Sequence, residues 1–83
     1  MNEHPLLGML AELTGSFLFA NNPSFDQLRN FQTTVATALL QNQDPLEIRR
    51  SFGFENVQNA STQALDENDL LYLNEMLHDI EQH

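Results

Sequence analysis

Apolar residues recur along this chain at steps of three and four, the spacing of one face of an α-helix. Leu6, Leu10, Leu13 and Phe17, with Met9 beside them, form a first stripe. Pro5 is suited to open it, because the first helical turn needs no N–H donor there, and Asn21-Asn22-Pro23 closes it. Gly8, Ala11 and Gly15 share another side, where a neighbouring backbone is expected to approach, at a propensity cost of about 1 kcal/mol per glycine. A second stripe runs through Phe25, Leu28, Phe31, Val35 and Leu39. Ser24 with Gln27 three residues later has the capping-box spacing, in which each side chain satisfies the other residue's free backbone N–H.

Gln41-Asn42-Gln43 breaks the pattern and Asp44-Pro45-Leu46-Glu47 restarts it, with Asp at the cap, Pro at the first helical position and Glu at the third. Leu46, Arg50, Phe54, Val57 and Ala64 share a helical face, but Gly53 interrupts it. The expectation is a short helix to about Phe52, a kink or turn, and another short helical piece to about Ser61. The last start is explicit: Asp66 caps, Asp69 follows at the third position, and Leu65 is placed to staple onto Leu70. Leu70, Leu73, Met76, Leu77 and Ile80 form its stripe. Two-residue alternation is never sustained, and no Asn-Gly or Asp-Gly hairpin turn occurs. The pattern predicts an all-α fold, a bundle of four helices joined by short loops, with the third helix short or kinked at Gly53 and residues 1–83 forming a single domain.

Length narrows this further. A chain of 83 residues buries only about 60–65% of its unfolded surface, so the core is thin. With no cysteine, disulfides and thiolate metal sites are excluded. The apolar run from Leu6 to Ala20 carries Glu12 and lacks a positive flank, and it is shorter than the ~20 residues that span a bilayer. The expectation is a cytoplasmic protein without a membrane span.

Charge changes the functional picture. The formal net charge is −9, with twelve acids, three arginines and no lysine. Residues 51–83 hold Glu55, Asp66, Glu67, Asp69, Glu75, Asp79 and Glu81 with no Lys or Arg between them. Such a surface repels nucleic-acid phosphate and anionic lipid and attracts basic partners. Direct nucleic-acid binding is therefore not expected. Arg49-Arg50 is the one basic pair, and neighbours such as Glu47 give it an intramolecular role.

The sequence offers little for catalysis. His4 and His83 lie near the termini and His78 on the polar side of the last helix, and no serine sits in a Gly-x-Ser-x-Gly elbow. No enzymatic activity, catalytic residue or cofactor is expected. Asp66, Glu67, Asn68 and Asp69 resemble hard-cation ligands, but a calcium loop needs Gly at its sixth position, where this chain has Leu71. Helix capping and dipole compensation account for them. His78 and His83 are five apart, off the i,i+4 spacing of a helical ligand pair, and are expected in solvent. No metal site is expected.

What remains is apolar surplus. Leu7, Leu18 and Phe19 fall off the first stripe, Leu71 and Tyr72 off the last, and Phe52 and Phe54 flank Gly53. The leading reading is a non-enzymatic protein-binding module, an inhibitor, adaptor or chaperone. It docks on a basic protein through an apolar patch ringed by carboxylates. Its expected contacts are Leu71, Tyr72, Glu75 and Asp79 on the outer side of the last helix, with Phe52 and Phe54 nearby. One alternative is a homodimeric structural subunit whose apolar surplus forms the dimer interface. A further one is a nucleic-acid mimic, for which the acids are too interleaved with Asn and Gln. The layout of short acid-capped helices also resembles the small four-helix immunity proteins that protect bacteriocin producers. The likeness lies in helix spacing and implies an inhibitor, although those proteins tend to be more basic.

Overall fold

A computed structural model describes residues 3–55 and 65–82. The helical piece expected to about Ser61, with Val57 and Ala64, lies outside the described residues. Within them the chain forms four helices: α1 (Leu7–Ala20), α2 (Phe25–Leu40), α3 (Pro45–Ser51) and α4 (Glu67–Glu81). The all-α bundle predicted from periodicity is the observed architecture.

Local chemistry sets the boundaries. Ser24 and Gln27 make the reciprocal capping box, with Ser24 N–H donating to Gln27 Oε1 at 2.8 Å and Gln27 N–H to Ser24 Oγ at 3.2 Å. Asp44 accepts from the Leu46 N–H and Asp66 from the Asp69 N–H, each freeing one helix start of an unpaired donor. The first helix starts two residues later than Pro5. His4 accepts from the Leu7 N–H at 3.0 Å, so Pro5 occupies the second position of a β-turn and Leu6 (φ −91°, ψ 0°) the third. Gly53 neither kinks a longer helix nor continues one. It stands at φ +77° just beyond the Phe52 cap, with Gly53 N–H on Arg50 C=O and Phe54 N–H on Arg49 C=O. Those two bonds are the Schellman closure of a helix C-terminus.

The core lies where α1, α2 and α4 meet. α2 packs against α1, α3 and α4, and α1 also against α4. Leu10, Leu13, Phe31, Val35, Ala36, Leu39, Leu73 and Leu77 fill this space, and α3 closes it with Ile48. Phe17 stacks on Phe31 at 4.0 Å, and the Phe52 ring meets Phe31 edge-on at 4.7 Å. Offset and edge contacts of this kind add about 0.5–1.5 kcal/mol per pair beyond area burial.

Several positions depart from the periodic reading. Leu46 is 49% exposed and Ile48 takes the core position of α3. In a seven-residue helix two turns cannot sustain a stripe, and one anchor decides the docking. Phe25 is 66% exposed; at the first position of α2 it lies at the end of its stripe. Leu7, off the first stripe, is buried. Gly8 is exposed, with open space where a Cβ would stand, so no backbone approaches it, whereas Gly15 is buried.

Candidate functional site

Successive residues on an α-helix are 100° apart, so Leu71, Glu75, Asp79 and Tyr72 fall within an arc of about 100° on α4, opposite Leu73 and Leu77. The structure exposes all four, Leu71 by 52% and Tyr72 by 39%, while Leu73 and Leu77 are fully buried. Tyr72, Glu75, Met76 and Asp79 line one shallow groove, and Leu71 helps to line a second with Glu3, Leu7, Leu70 and Asn74. Four of the six expected contact residues are therefore brought together as one face carrying an aliphatic group, an aromatic ring and two carboxylates.

The face extends onto α2, which periodicity did not predict. The Arg29 guanidinium lies 3.7 Å from the Tyr72 ring centre and 4.7 Å from that of Phe25, and its Nη1 donates to Gln32 Oε1 at 2.7 Å. A planar cation between two rings holds them in register and occupies one face of Tyr72. The exposed Phe25 ring thereby joins the α4 face. The only signal in the sequence is Phe25–Arg29 at i,i+4, a pair that names no partner on α4.

Phe52 and Phe54 do not belong to this face. Phe54 is 1% exposed and packs with Phe17 and Phe31, under the Arg49 guanidinium. Phe52 is half-buried against the same rings. Tertiary closure around Gly53 folds both side chains inward, so Phe54 is a core residue and cannot touch a partner in this fold. Phe52, Phe17 and Phe31 instead floor a separate cleft of about 410 Å³ whose rim carries Asn21, Gln27 and Asn30.

The arginines at positions 49 and 50 have the intramolecular role expected of them. Arg49 donates to Glu12 Oε1 at 3.1 Å and to Ser16 Oγ at 3.3 Å. Arg50 bonds Glu55 at 3.2 Å and Glu47 at 2.7 Å. The hydrogen bond to Glu55, the charges of Glu47 and Glu55, and Asp44 further off hold the Arg50 pKa above its ordinary value. The chain's own cations thus serve internal partners, and the surface field stays that of the acids.

Of the described histidines, His78 departs from its expected place in solvent, and His4, near the terminus, is buried. His4 is 4% exposed. Its backbone N–H donates to Asn74 Oδ1 at 2.6 Å, its Nδ1 accepts from the Leu6 N–H at 3.0 Å, and its Nε2 lies 3.0 Å from Glu81 Oε1. His78 is half-buried and meets the His4 ring edge-on at 5.0 Å. Because the Leu6 amide must donate to Nδ1, the ring proton sits on Nε2 and points at the Glu81 carboxylate. His4, His78 and Glu81 so form one cluster tying the segment before α1 to the end of α4. His83 lies outside the described residues.

No protein-family model, curated protein or solved structure matches the chain. Among the described residues no helix is long and apolar enough to cross a membrane.

Proposed function

We propose that the chain is a non-enzymatic protein-binding module, which docks on a basic protein through the outer face of α4 and its extension to Phe25. The observation that carries this reading is the composition of that face. Leu71, Tyr72 and Phe25 remain exposed although the bundle has a core to hide them in, and Glu75 and Asp79 stand among them. Apolar groups supply affinity when buried by a partner, at about 25 cal/mol per Å² of apolar area. Carboxylates around them favour a partner patch rich in Lys and Arg and repel acidic competitors. An inhibitor, adaptor or chaperone role is compatible with that surface. A homodimer using the same rings would bring Glu75 and Asp79 of two copies together, which like-charge repulsion opposes.

The test starts from affinity capture out of a lysate of the source organism, washed at low and then high salt, with the bait's own mass measured by light scattering. A captured protein is purified and its binding to the wild-type chain compared with Leu71→Ala, Tyr72→Ala and Glu75→Gln. Support consists of a basic protein whose affinity falls with salt and falls in all three variants while their helical circular dichroism is unchanged. A stable dimer mass with no captured partner would overturn the reading in favour of a structural subunit.

A further inference from the structure

We propose that His4, His78 and Glu81 form a binding site for a divalent late-transition-metal ion, Zn²⁺ foremost, that clasps the segment before α1 to the end of α4. Each residue offers one donor atom, and the three lie within 4.8 Å of one another. His78 and Glu81 are three apart on α4 and so share a face. His4 arrives from the other end of the sequence, already buried and held by its backbone bond to Asn74.

The three donors are near enough for one ion to draw together. Two ligand atoms on one tetrahedral zinc, each at about 2.0–2.1 Å, stand about 3.3 Å apart; His4 Nε2 and Glu81 Oε1 stand 3.0 Å apart. Two imidazoles on such an ion have ring centres about 5 Å apart, and the His4 and His78 ring centres are separated by 5.0 Å at 69°. Two imidazoles and one carboxylate favour Zn²⁺ and its neighbours over Mg²⁺ or Ca²⁺, which take oxygen ligands. Three protein ligands leave one position to water, on the side where Glu81 is exposed.

The proton balance gives the site a signature. Without metal, Nε2 carries the ring proton and Nδ1 accepts from the Leu6 amide. The ion takes the Nε2 lone pair, so that proton leaves to solvent and Nδ1 takes one up. One proton is released and one taken up, and the Leu6 N–H, which then faces a ring N–H where it had an acceptor at 3.0 Å, must turn away from it. Two hydrogen bonds, Leu6 N–H to Nδ1 and Nε2–H to Glu81, are exchanged for three metal–ligand bonds, with no change of oxidation state.

The experiment titrates the full chain with zinc chloride near neutral pH, by calorimetry, thermal unfolding and amide NMR, with magnesium chloride as control. The expected result is one zinc per chain at micromolar affinity and a raised Tm. The Leu6 amide signal moves and its hydrogen exchange accelerates, and magnesium has no such effect. Because His4 is buried, the variants are His78→Gln and Glu81→Gln, both near the surface. Each is expected to weaken zinc binding by about tenfold or more, and to lower the metal-free Tm only by the loss of its own contact with His4, so the zinc-induced rise in Tm is compared within each variant. Absence of binding at millimolar zinc would overturn the proposal. So would equal binding in both variants, or a Leu6 amide that does not respond, since zinc would then sit on other surface groups.

Discussion

Gly53 and Gly8 present the same empty space to an added methyl group and call for opposite outcomes. Neither would bring a Cβ within 4 Å of a neighbour, but Gly53 is held at φ +77°. An L-residue there costs about 1–2 kcal/mol because its Cβ crowds the following carbonyl. Gly53→Ala is therefore expected to lower stability by about 1 kcal/mol. Gly8 lies in the first turn of α1 at ordinary helical angles, and Gly8→Ala is expected to raise stability by about 0.5 kcal/mol by restricting the unfolded chain. Urea midpoints at unchanged slope check both. Arg50 supplies a pH prediction at the same scale. Its pKa is raised by Glu55 first and Glu47 next, so the folded state binds the proton more tightly than the unfolded one. A raised pKa gives stability that is complete below the unfolded value, itself far above neutral, and is lost only as pH rises through the folded one. Titration of stability through the neutral range is expected to show no step that disappears in Arg50→Gln.

Elements are where local and non-local information separate. The capping box of α2 is local, and Ser24→Ala removes the bond accepted from Gln27 N–H; the expected cost is about 1 kcal/mol. Phe31 is 1% exposed and in ring contact with Phe17, Phe52 and Phe54. Its truncation to Ala is expected to cost about 3–5 kcal/mol, a large part of the 5–15 kcal/mol typical of a whole domain. Thermal unfolding of the two variants separates a lost cap from a lost keystone. The same division explains what could be read from the chain. The starts at Ser24, Asp44 and Asp66 were legible because a cap is decided by four adjacent residues. The end of α3 at Gly53 was legible as a break but not as a Schellman closure, which depends on a backbone angle. Leu46 and Phe25 misled because a stripe does not say where its neighbour ends. The α4 face was legible as residues left off a stripe, whereas Phe54 was not, since only tertiary closure turns it inward. The His4–Glu81 contact joins residues 77 apart, and no periodicity reports such a pair.

At the scale of the molecule, charge and apolar surface act on different rates. The radius of gyration is 11.9 Å, close to the ~12 Å of a close-packed chain of this length, so the field of nine net negative charges is concentrated on a small body. At physiological salt that field decays over about 8 Å, which confines steering to the last stage of encounter. A basic partner is then expected to associate about tenfold or more faster at low salt than at high salt. Dissociation should change little, because once docked the contact is screened less by the solvent. Substitutions on the α4 face divide along the same line. Glu75→Gln and Asp79→Asn are expected mainly to slow association and to flatten its salt dependence. Tyr72→Ala removes the ring that packs against Arg29 and is expected mainly to speed dissociation, since short-range contacts set residence time. Stopped-flow association at several salt concentrations, followed by dilution-induced dissociation, measures both rates on the same complex. If Tyr72→Ala and Glu75→Gln changed the same rate constant by the same factor, the face would not be divided into steering and holding groups, and the docking mechanism would fail.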